Sequence, residues 1–468
     1  MRVLLIEDED EVVAGVRAAL ADSDDLMVVD NRDGALSLLG DDQQFDLVVC
    51  DLRIPPSSGA GLLANEDHGL AVFAACREHL PGSPLRFFSG RANLDNLADA
   101  LSEGRPVDLF GDGTSWPLIH IHQKRHAANF VEELGRLREG LLSLESEVEI
   151  QCDDELDGMT ARALRIGARR VSATTAQARR AGSGTHGLSG ADTLSALFID
   201  TARVTRARNF VKVDARARIE RELAGFDRYV STLLTSGFTP RGWVLLYGLR
   251  GQAAVAYVLA EGFDTDLFGV LQGSEDLAIQ TLTRLMRHLE PWMPAWRREG
   301  VAIADMRRRF IADDRLAAER SELAEFELYE QIQVDLPWVV GHGDLHGGNV
   351  LVRSDGEPIL IDFGDVDLHW GAFDPVTLEV SLAFHPASPM RKSEWPSQHA
   401  AENYLDLDSY LADCPVPSFV RKVRQWAMEC LGGDEQALRA VMYALATRQL
   451  KYADTDHALA NSFARGSL

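Results

Sequence analysis

Two short segments in the last third of the chain constrain its fold more than any bulk property does. Residues 341–352 read GHGDLHGGNVLV and residues 358–366 read PILIDFGDV. The first sets Gly, His, Asp and Asn, and the second Asp and Gly, against short apolar runs, the pattern of loops held between brief strands. Phosphoryl transfer from a nucleoside triphosphate needs a group to orient the attacking hydroxyl, one or two Mg2+ ions, and ligands that hold them. His342-x-Asp344 followed by Asn349 fits the spacing H-x-D-x-x-x-x-N, and Asp362 ends an apolar strand in I-D-F-G. Asp344 would accept or orient the hydroxyl proton, and Asn349 and Asp362 would hold Mg2+ against the phosphates of ATP. Gly343, Gly347 and Gly348 permit the sharp backbone path between them.

HGDLHGGN followed by a strand and IDFGD resembles the aminoglycoside phosphotransferase and choline kinase family, which shares the protein-kinase fold. The resemblance covers residues 158–465 and implies a bilobal α+β domain with a small-molecule hydroxyl acceptor. It also implies a lysine on an upstream strand. NFVKVD supplies Lys212, one of only five lysines in the chain. The helix after it, RIERELAGF, offers Glu222 as the ion-pair partner, with Glu220 second. The Gly/Ser-rich loop 184–190, with Gly187, Ser189 and Gly190, lies where a loop covering the ATP phosphates belongs. Residues 258–263 (VLAEGF) would be the hinge that meets the adenine. Asp374, before Pro375, reads as a helix N-cap, and in the family an aspartate there braces the catalytic loop, as His342 does from within it. His346 reads as a loop-stabilising residue. Glu379, Asp406 and Asp408 fall where the family builds its acceptor pocket, and solvated surface is their expected place.

The N-terminal part has a different rhythm. Apolar strand-like runs at 2–6, 45–50, 85–88 and 118–122 alternate with helical stretches, which predicts a doubly wound parallel sheet. In such sheets functional groups collect at the carboxyl ends of strands. Glu7 and Asp8 end one run, Asp51 another, Ser89 and Lys124 two more. Three carboxylates in one crevice repel each other, and a hard cation such as Mg2+ relieves that. A carboxylate beside Mg2+ can attack a phosphoryl donor, and Ser89 and Lys124 would then meet the new phosphate oxygens. VLLIEDED, DLVVCDLRIPP and FFSG, in this order, resemble response-regulator receiver domains. The resemblance implies Asp51 as phosphoacceptor, Glu7 and Asp8 as metal ligands, Ser89 as switch, Lys124 as phosphate contact, and a sensor histidine kinase as partner. Two departures stand out. The stretches from Asp51 to Ser89 and from Ser89 to Lys124 are long, and Arg125 stands where the family has proline.

The expected layout is therefore an α/β chain with a receiver domain at 1–138, a linker helix and acidic linker at 139–157, a kinase-like N-lobe at 158–263 and a C-lobe at 264–468. A formal net charge of −25 with no basic stripe argues against nucleic acid as a partner. Five scattered cysteines give neither a zinc spacing nor a disulfide framework. No apolar run approaches the length of a membrane span, and the N-terminus lacks a signal-peptide pattern, so the cytoplasm is the expected compartment. Receivers often dimerise, but no sequence feature fixes an interface. A protein acceptor, or a nucleotide-binding scaffold without turnover, stays open beside the small-molecule kinase.

Overall fold

The computed structural model describes residues 1–41, 43–89, 106–124, 127–180, 190–319 and 324–468. They form two compact units, Met1–Ile219 with Arg241–Val258 and Glu220–Pro240 with Leu259–Leu468.

In the first unit, strands β1 (Arg2–Ile6), β2 (Asp25–Val29), β3 (Leu47–Cys50), β4 (Leu85–Ser89) and, after a small hairpin of β5 (Val107–Asp108) and β6 (Ser115–Trp116), β7 (Ile119–Gln123) build an all-parallel sheet. Its order is β2-β1-β3-β4-β7. After Arg2, VLLI is apolar throughout, as is LVVC, because both faces of a parallel sheet are covered, and Val3 to Ile6 and Leu47 to Cys50 are buried. The strand order reverses between β1 and β3, which opens a crevice at their carboxyl ends. Asn31 and Asn65 start the flanking helices Arg32–Gly40 and Glu66–His79 by accepting from Gly34 N and His68 N. The long connection before Lys124 contains the β5–β6 hairpin.

The same unit carries a second, six-stranded sheet. Its strands are β8 (Glu149–Gln151), β9 (Thr175–Arg180), β10 (Asp192–Ile199), β11 (Thr205–Ala215), β12 (Arg241–Leu245) and β13 (Gln252–Val258). The order is β12-β13-β11-β10-β9-β8, with only β8 and β9 parallel. DTLSALFI alternates strictly, burying Leu194, Ala196 and Phe198. The stretch expected as a linker is ordered. The helix Ala127–Glu147 leads into β8, and Asp157 caps the helix Gly158–Arg170 by accepting from Met159 N and Thr160 N.

One continuous apolar core runs beneath both sheets, from Leu4, Val48 and Leu109 to Leu164, Phe198 and Leu249. The seam is tight. A Cβ on Gly82 would lie 2.6 Å from Arg250 O, and one on Gly111 would lie 2.5 Å from Ile166 O. Asp46, at the start of β3, is a polar pin across the seam. It accepts from Arg162 at 2.7 Å, from Arg250 at 3.0 Å through both oxygens, and from Arg2 N at 2.7 Å. Burial alone would raise its pKa, but the two guanidinium groups outweigh that and hold the carboxyl well below the usual range.

In the second unit, β14 (Thr265–Asp266), β15 (Arg297–Ala302), β16 (Gln333–Gly341), β17 (Val350–Val352), β18 (Pro358–Leu360) and β19 (Asp367–Trp370) make two three-stranded sheets, β14-β17-β18 and β15-β16-β19. Helices supply the rest. FDPVTLEVSLAF forms the helix Phe373–Phe384, buried on every side. Its Glu379, expected at the surface, is instead buried and paired with Arg424 at 2.7 Å, since a carboxylate inside a core needs a counter-charge. Asp406 and Asp408 are exposed, as expected: Asp406 caps a short helix and Asp408 pairs with Arg421. Among the described residues, no helix is long and apolar enough to cross a membrane.

Candidate functional sites

The buried strand β16 delivers His342 into the interior, where it is fully enclosed. Its Nε2 lies 3.0 Å from Ile361 O, and a carbonyl only accepts, so Nε2 carries the proton. Asp374 accepts from His342 N at 2.7 Å and from Gly343 N at 3.0 Å. It does not cap its own helix: Ala372 holds that position, and the Asp374 carboxylate turns toward the loop instead. Gly343 has φ +80°, and a Cβ there would lie 2.2 Å from Asp365 O, so the step before Asp344 requires glycine.

Asp344 then leaves the core with its carboxylate 40% exposed. The turn after it is closed by the Asn349 side-chain amide, which donates to Asp344 O at 2.9 Å. His346 Nδ1 accepts from Gly348 N at 3.1 Å, fixing the short 3-10 turn Gly347–Asn349. Ile361 N donates to Asn349 O at 3.1 Å, which brings the end of β18, and with it Asp362, against the loop. Asp362 itself has φ +62°, the left-handed region that costs a non-glycine residue on the order of 1 kcal/mol and is typical of functional positions. Asp344, Asn349 and Asp362 are thus gathered by one braced turn.

Two residues beside Asp344 carry no sequence signal. Arg448, on the helix Glu435–Gln449, lies 3.4 Å from Asp344 Oδ1. His385 stacks on His346 with ring centres 4.1 Å apart. Burial pushes the His346 pKa down, and that of His385 down to about 3. One of two arginines in an Ala-rich helix about a hundred residues downstream gives a reader nothing to align on.

Of the residues expected around the nucleotide, Lys212 is buried on β11, across from Thr193 of β10 and Val255 of β13. Glu222 is buried on the helix Arg216–Gly225, whereas Glu220 is exposed, so only Glu222 is placed as an inward-facing carboxylate. Gly187 and Ser189 lie outside the described residues. Gly190 has φ +76° and leads into β10. Val258 ends β13, and Gly262, with φ +89°, turns the chain that follows.

In the first unit the crevice between β1 and β3 gathers a second set. Oxygens of Glu7, Asp8 and Asp51 lie within 4.8 Å of one another. Glu7 and Asp51 are buried and Asp8 is exposed. Lys124, just past β7, reaches Asp51 Oδ2 at 2.7 Å, Glu7 at 2.9 Å and Glu9 at 3.0 Å. Burial raises the Glu7 pKa to about 7 against the pull of Lys124, and burial also raises that of Asp8. For Lys124 burial acts downward, but the carboxylates outweigh it and hold the ammonium above its ordinary range. Three converging hard oxygens suit a hard divalent cation. Ser89 ends β4, paired in register with Gln123. Alongside, His120 and His122 both face Glu133, at 3.1 and 2.6 Å. The fully buried Arg86 already pairs with that carboxylate at 2.6 Å, so the cluster reads as an ion-pair network that seats the helix Ala127–Glu147 on β7.

Residues 202–418 match the phosphotransferase enzyme family, a segment that contains Lys212, Glu222, the whole Asp344 loop and Asp374. No curated protein matches the chain. Among solved structures, amicoumacin kinase hAmiN in complex with AMP-PNP, Ca2+ and Ami is 16% identical, with 59% of this chain and 84% of that one covered and a TM-score of 0.33. A thermostable aminoglycoside phosphotransferase APH(4)-Ia with ADP and hygromycin B is 10% identical, covering 60% and 92%, TM-score 0.34. Spectinomycin phosphotransferase APH(9)-Ia with ADP and spectinomycin is 16% identical, covering 63% and 93%, TM-score 0.29. The family match thus sets a phosphotransferase segment around the Asp344 loop.

Proposed function

We propose that the chain transfers the γ-phosphoryl group of ATP to a hydroxyl of a small molecule, and that the N-terminal parallel-sheet region (1–138) is a phosphoacceptor that regulates this transfer. One observation carries the first part: the Asn349 amide holds the Asp344 carbonyl at 2.9 Å inside a turn braced by Asp374. That bond fixes a metal ligand and a hydroxyl-orienting carboxylate in one rigid unit, which is the positioning that phosphoryl transfer depends on. Asp344 aligns the acceptor hydroxyl and takes its proton as the oxygen attacks the γ-phosphorus and the bond to the β-phosphate breaks. Asn349 and Asp362 would hold Mg2+, which supplies charge neutralisation at the phosphate oxygens. Lys212 would hold the α- and β-phosphates.

The regulatory part rests on Lys124 at 2.7 Å from Asp51 with Glu7 and Asp8 alongside. Asp51 would attack a phosphoryl donor, with Mg2+ held by Glu7, Asp8 and Asp51. A sensor histidine kinase is the donor this chemistry fits, and Lys124 and Ser89 would meet the acyl phosphate.

The test is consumption of Mg2+-ATP by wild type and Asp344→Asn with a cytosolic metabolite extract as acceptor pool. Turnover in wild type that falls about 100-fold or more in the variant is expected, with the product a small molecule. Label appearing in protein instead would move the reading to a protein kinase. ATP binding with no turnover in either would leave a scaffold. Asp51→Ala should change the wild-type rate only when a phosphoryl donor such as acetyl phosphate is present; an identical response in both proteins would remove the regulatory role.

A further inference from the structure

The ion-pair network around Glu133 has a capacity that hydrogen bonding alone does not use. His120 and His122 stand two apart on β7, so both rings leave the same face of the strand. Their centres are 4.3 Å apart and their planes are inclined at 63°. His120 offers Nδ1 and His122 offers Nε2 to one and the same atom, Glu133 Oε2, at 3.1 and 2.6 Å. One ligand atom from each of the three residues lies within 4.8 Å of the others. Ligands about 2.0–2.1 Å from a tetrahedral ion stand about 3.3 Å from one another. The two nitrogen–oxygen gaps would therefore open by less than about 1 Å to admit such an ion.

The surroundings suit a ligand set. The side chains of Glu133 and His122 are 4% and 5% exposed, whereas His120 is 48% exposed. Two ligands are thus fixed in the interior, and the third opens the site to solvent. Arg86 donates to Glu133 Oε1 at 2.6 Å and leaves Oε2 to the rings. A carboxylate that ligates through one oxygen and is hydrogen-bonded through the other has the usual outer support of a metal ligand. Phe130 packs edge-on to His122, with ring centres 5.3 Å apart. Burial alone would raise the Glu133 pKa, but the two rings and Arg86 outweigh it and hold the carboxyl below its usual range. The Arg86–Glu133 pair is neutral in sum, so an ion would keep its own charge hydrated on the open His120 side. Lys124, two residues past His122, is committed to Asp51, Glu7 and Glu9.

We propose that His120, His122 and Glu133 bind one borderline divalent ion of the Zn2+ type, with water in the remaining position. Two imidazoles and one carboxylate select such an ion over Mg2+, which prefers oxygen ligands. The site is therefore separate in chemistry from the oxygen-only set of Glu7, Asp8 and Asp51. An ion here ties β7 to the helix Ala127–Glu147 through coordinate bonds.

The experiment titrates the full chain with Zn2+ by calorimetry, in excess Mg2+ so that the oxygen-only carboxylate set is occupied, and with Co2+ by visible absorption. Wild type is compared with His120→Ala, a half-exposed position where the fold should tolerate the change, and with His122→Ala. The expected result is one equivalent of Zn2+, and a Co2+ spectrum with the intense visible bands of a four-coordinate ion. Each variant should weaken Zn2+ by about 100-fold or more, since even outer-shell changes cost 10–100-fold, and should lose those bands. Zn2+ should also slow hydrogen exchange in the helix Ala127–Glu147 of wild type and not of His120→Ala. Wild type that takes up no Zn2+, or affinity and spectrum unchanged in His120→Ala, would overturn the proposal. So would a thiolate–Co2+ charge-transfer band, which would assign the ion to a cysteine.

Discussion

Replacing Asp46 by alanine tests whether the two sheets of the first unit are pinned to each other. The Asp46 side chain is 5% exposed, and its partners Arg162 and Arg250 are 17% and 25% exposed. Removing one member of such a buried pair costs about 3–5 kcal/mol, because the guanidinium groups stay behind without a counter-charge. The chain has two units and need not unfold in one step, so the readout must be local. Hydrogen exchange of β3, β12 and β13 across a urea series reports this unit's own stability. The cycle Asp46→Ala, Arg250→Ala and the double variant isolates the pair. The expected coupling is at least about 1 kcal/mol, and additivity within about 0.5 kcal/mol would refute the pin. The pH dependence has a definite sign. An acid whose folded pKa is depressed adds stability that is complete above its unfolded pKa of 3.8 and is lost as pH falls through the folded value. The gap between wild type and Asp46→Ala should therefore be flat near neutrality and shrink once the pH falls below about 4.

Glu7 gives the opposite sign. Its folded pKa is raised to about 7 from 4.5, so its contribution is favourable below the lower value and is lost as pH rises through the upper one. Glu7→Gln, locked in the neutral form, should raise the unfolding free energy of the first unit, read from urea titration, by on the order of 2 kcal/mol at pH 8 without Mg2+, and should gain little at pH 5; equal shifts at both pH values would contradict this. Asp374→Ala removes two charge-assisted bonds of about 1.5–3 kcal/mol each. Exchange of the His342 and Gly343 amides should accelerate and kcat should fall at least tenfold, with nucleotide affinity changed less. Unchanged exchange at those two amides would mean that the loop stands without its brace.

The loop around Asp344 was legible because its chemistry is compressed: His342, Asp344, Asn349 and Asp362 fall within about twenty residues, and short spacing survives folding. The Glu7, Asp8, Asp51 and Lys124 set was legible because doubly wound sheets send their strand ends to one rim. Local sequence failed where tertiary context decides. TAQARR is made of helix formers, yet it becomes β9 because β10 and β8 pair with it on either side. RREGVA, in β15, is too charged to read as a strand and is held by six rungs to β16. Glu379 was misread because a helix buried all round has no polar face to betray which way a residue points. Asp46 and Arg448 were missed because each draws its partner from far along the chain, and no spacing encodes that.

The tight seam beneath the two sheets bears on how this protein can be dissected and rearranged. Many sensory regions behave as interchangeable beads, joined to their output by a tether that tolerates trimming. A fragment starting near residue 150 would here expose the apolar side of Leu164 and Leu249 and strand Arg162 and Arg250 without Asp46. Such a fragment should be insoluble. Grafting a foreign N-terminal region would also require small residues where Gly82 and Gly111 now let the two backbones approach. The two halves of the first unit have therefore to be inherited, expressed and mutated together.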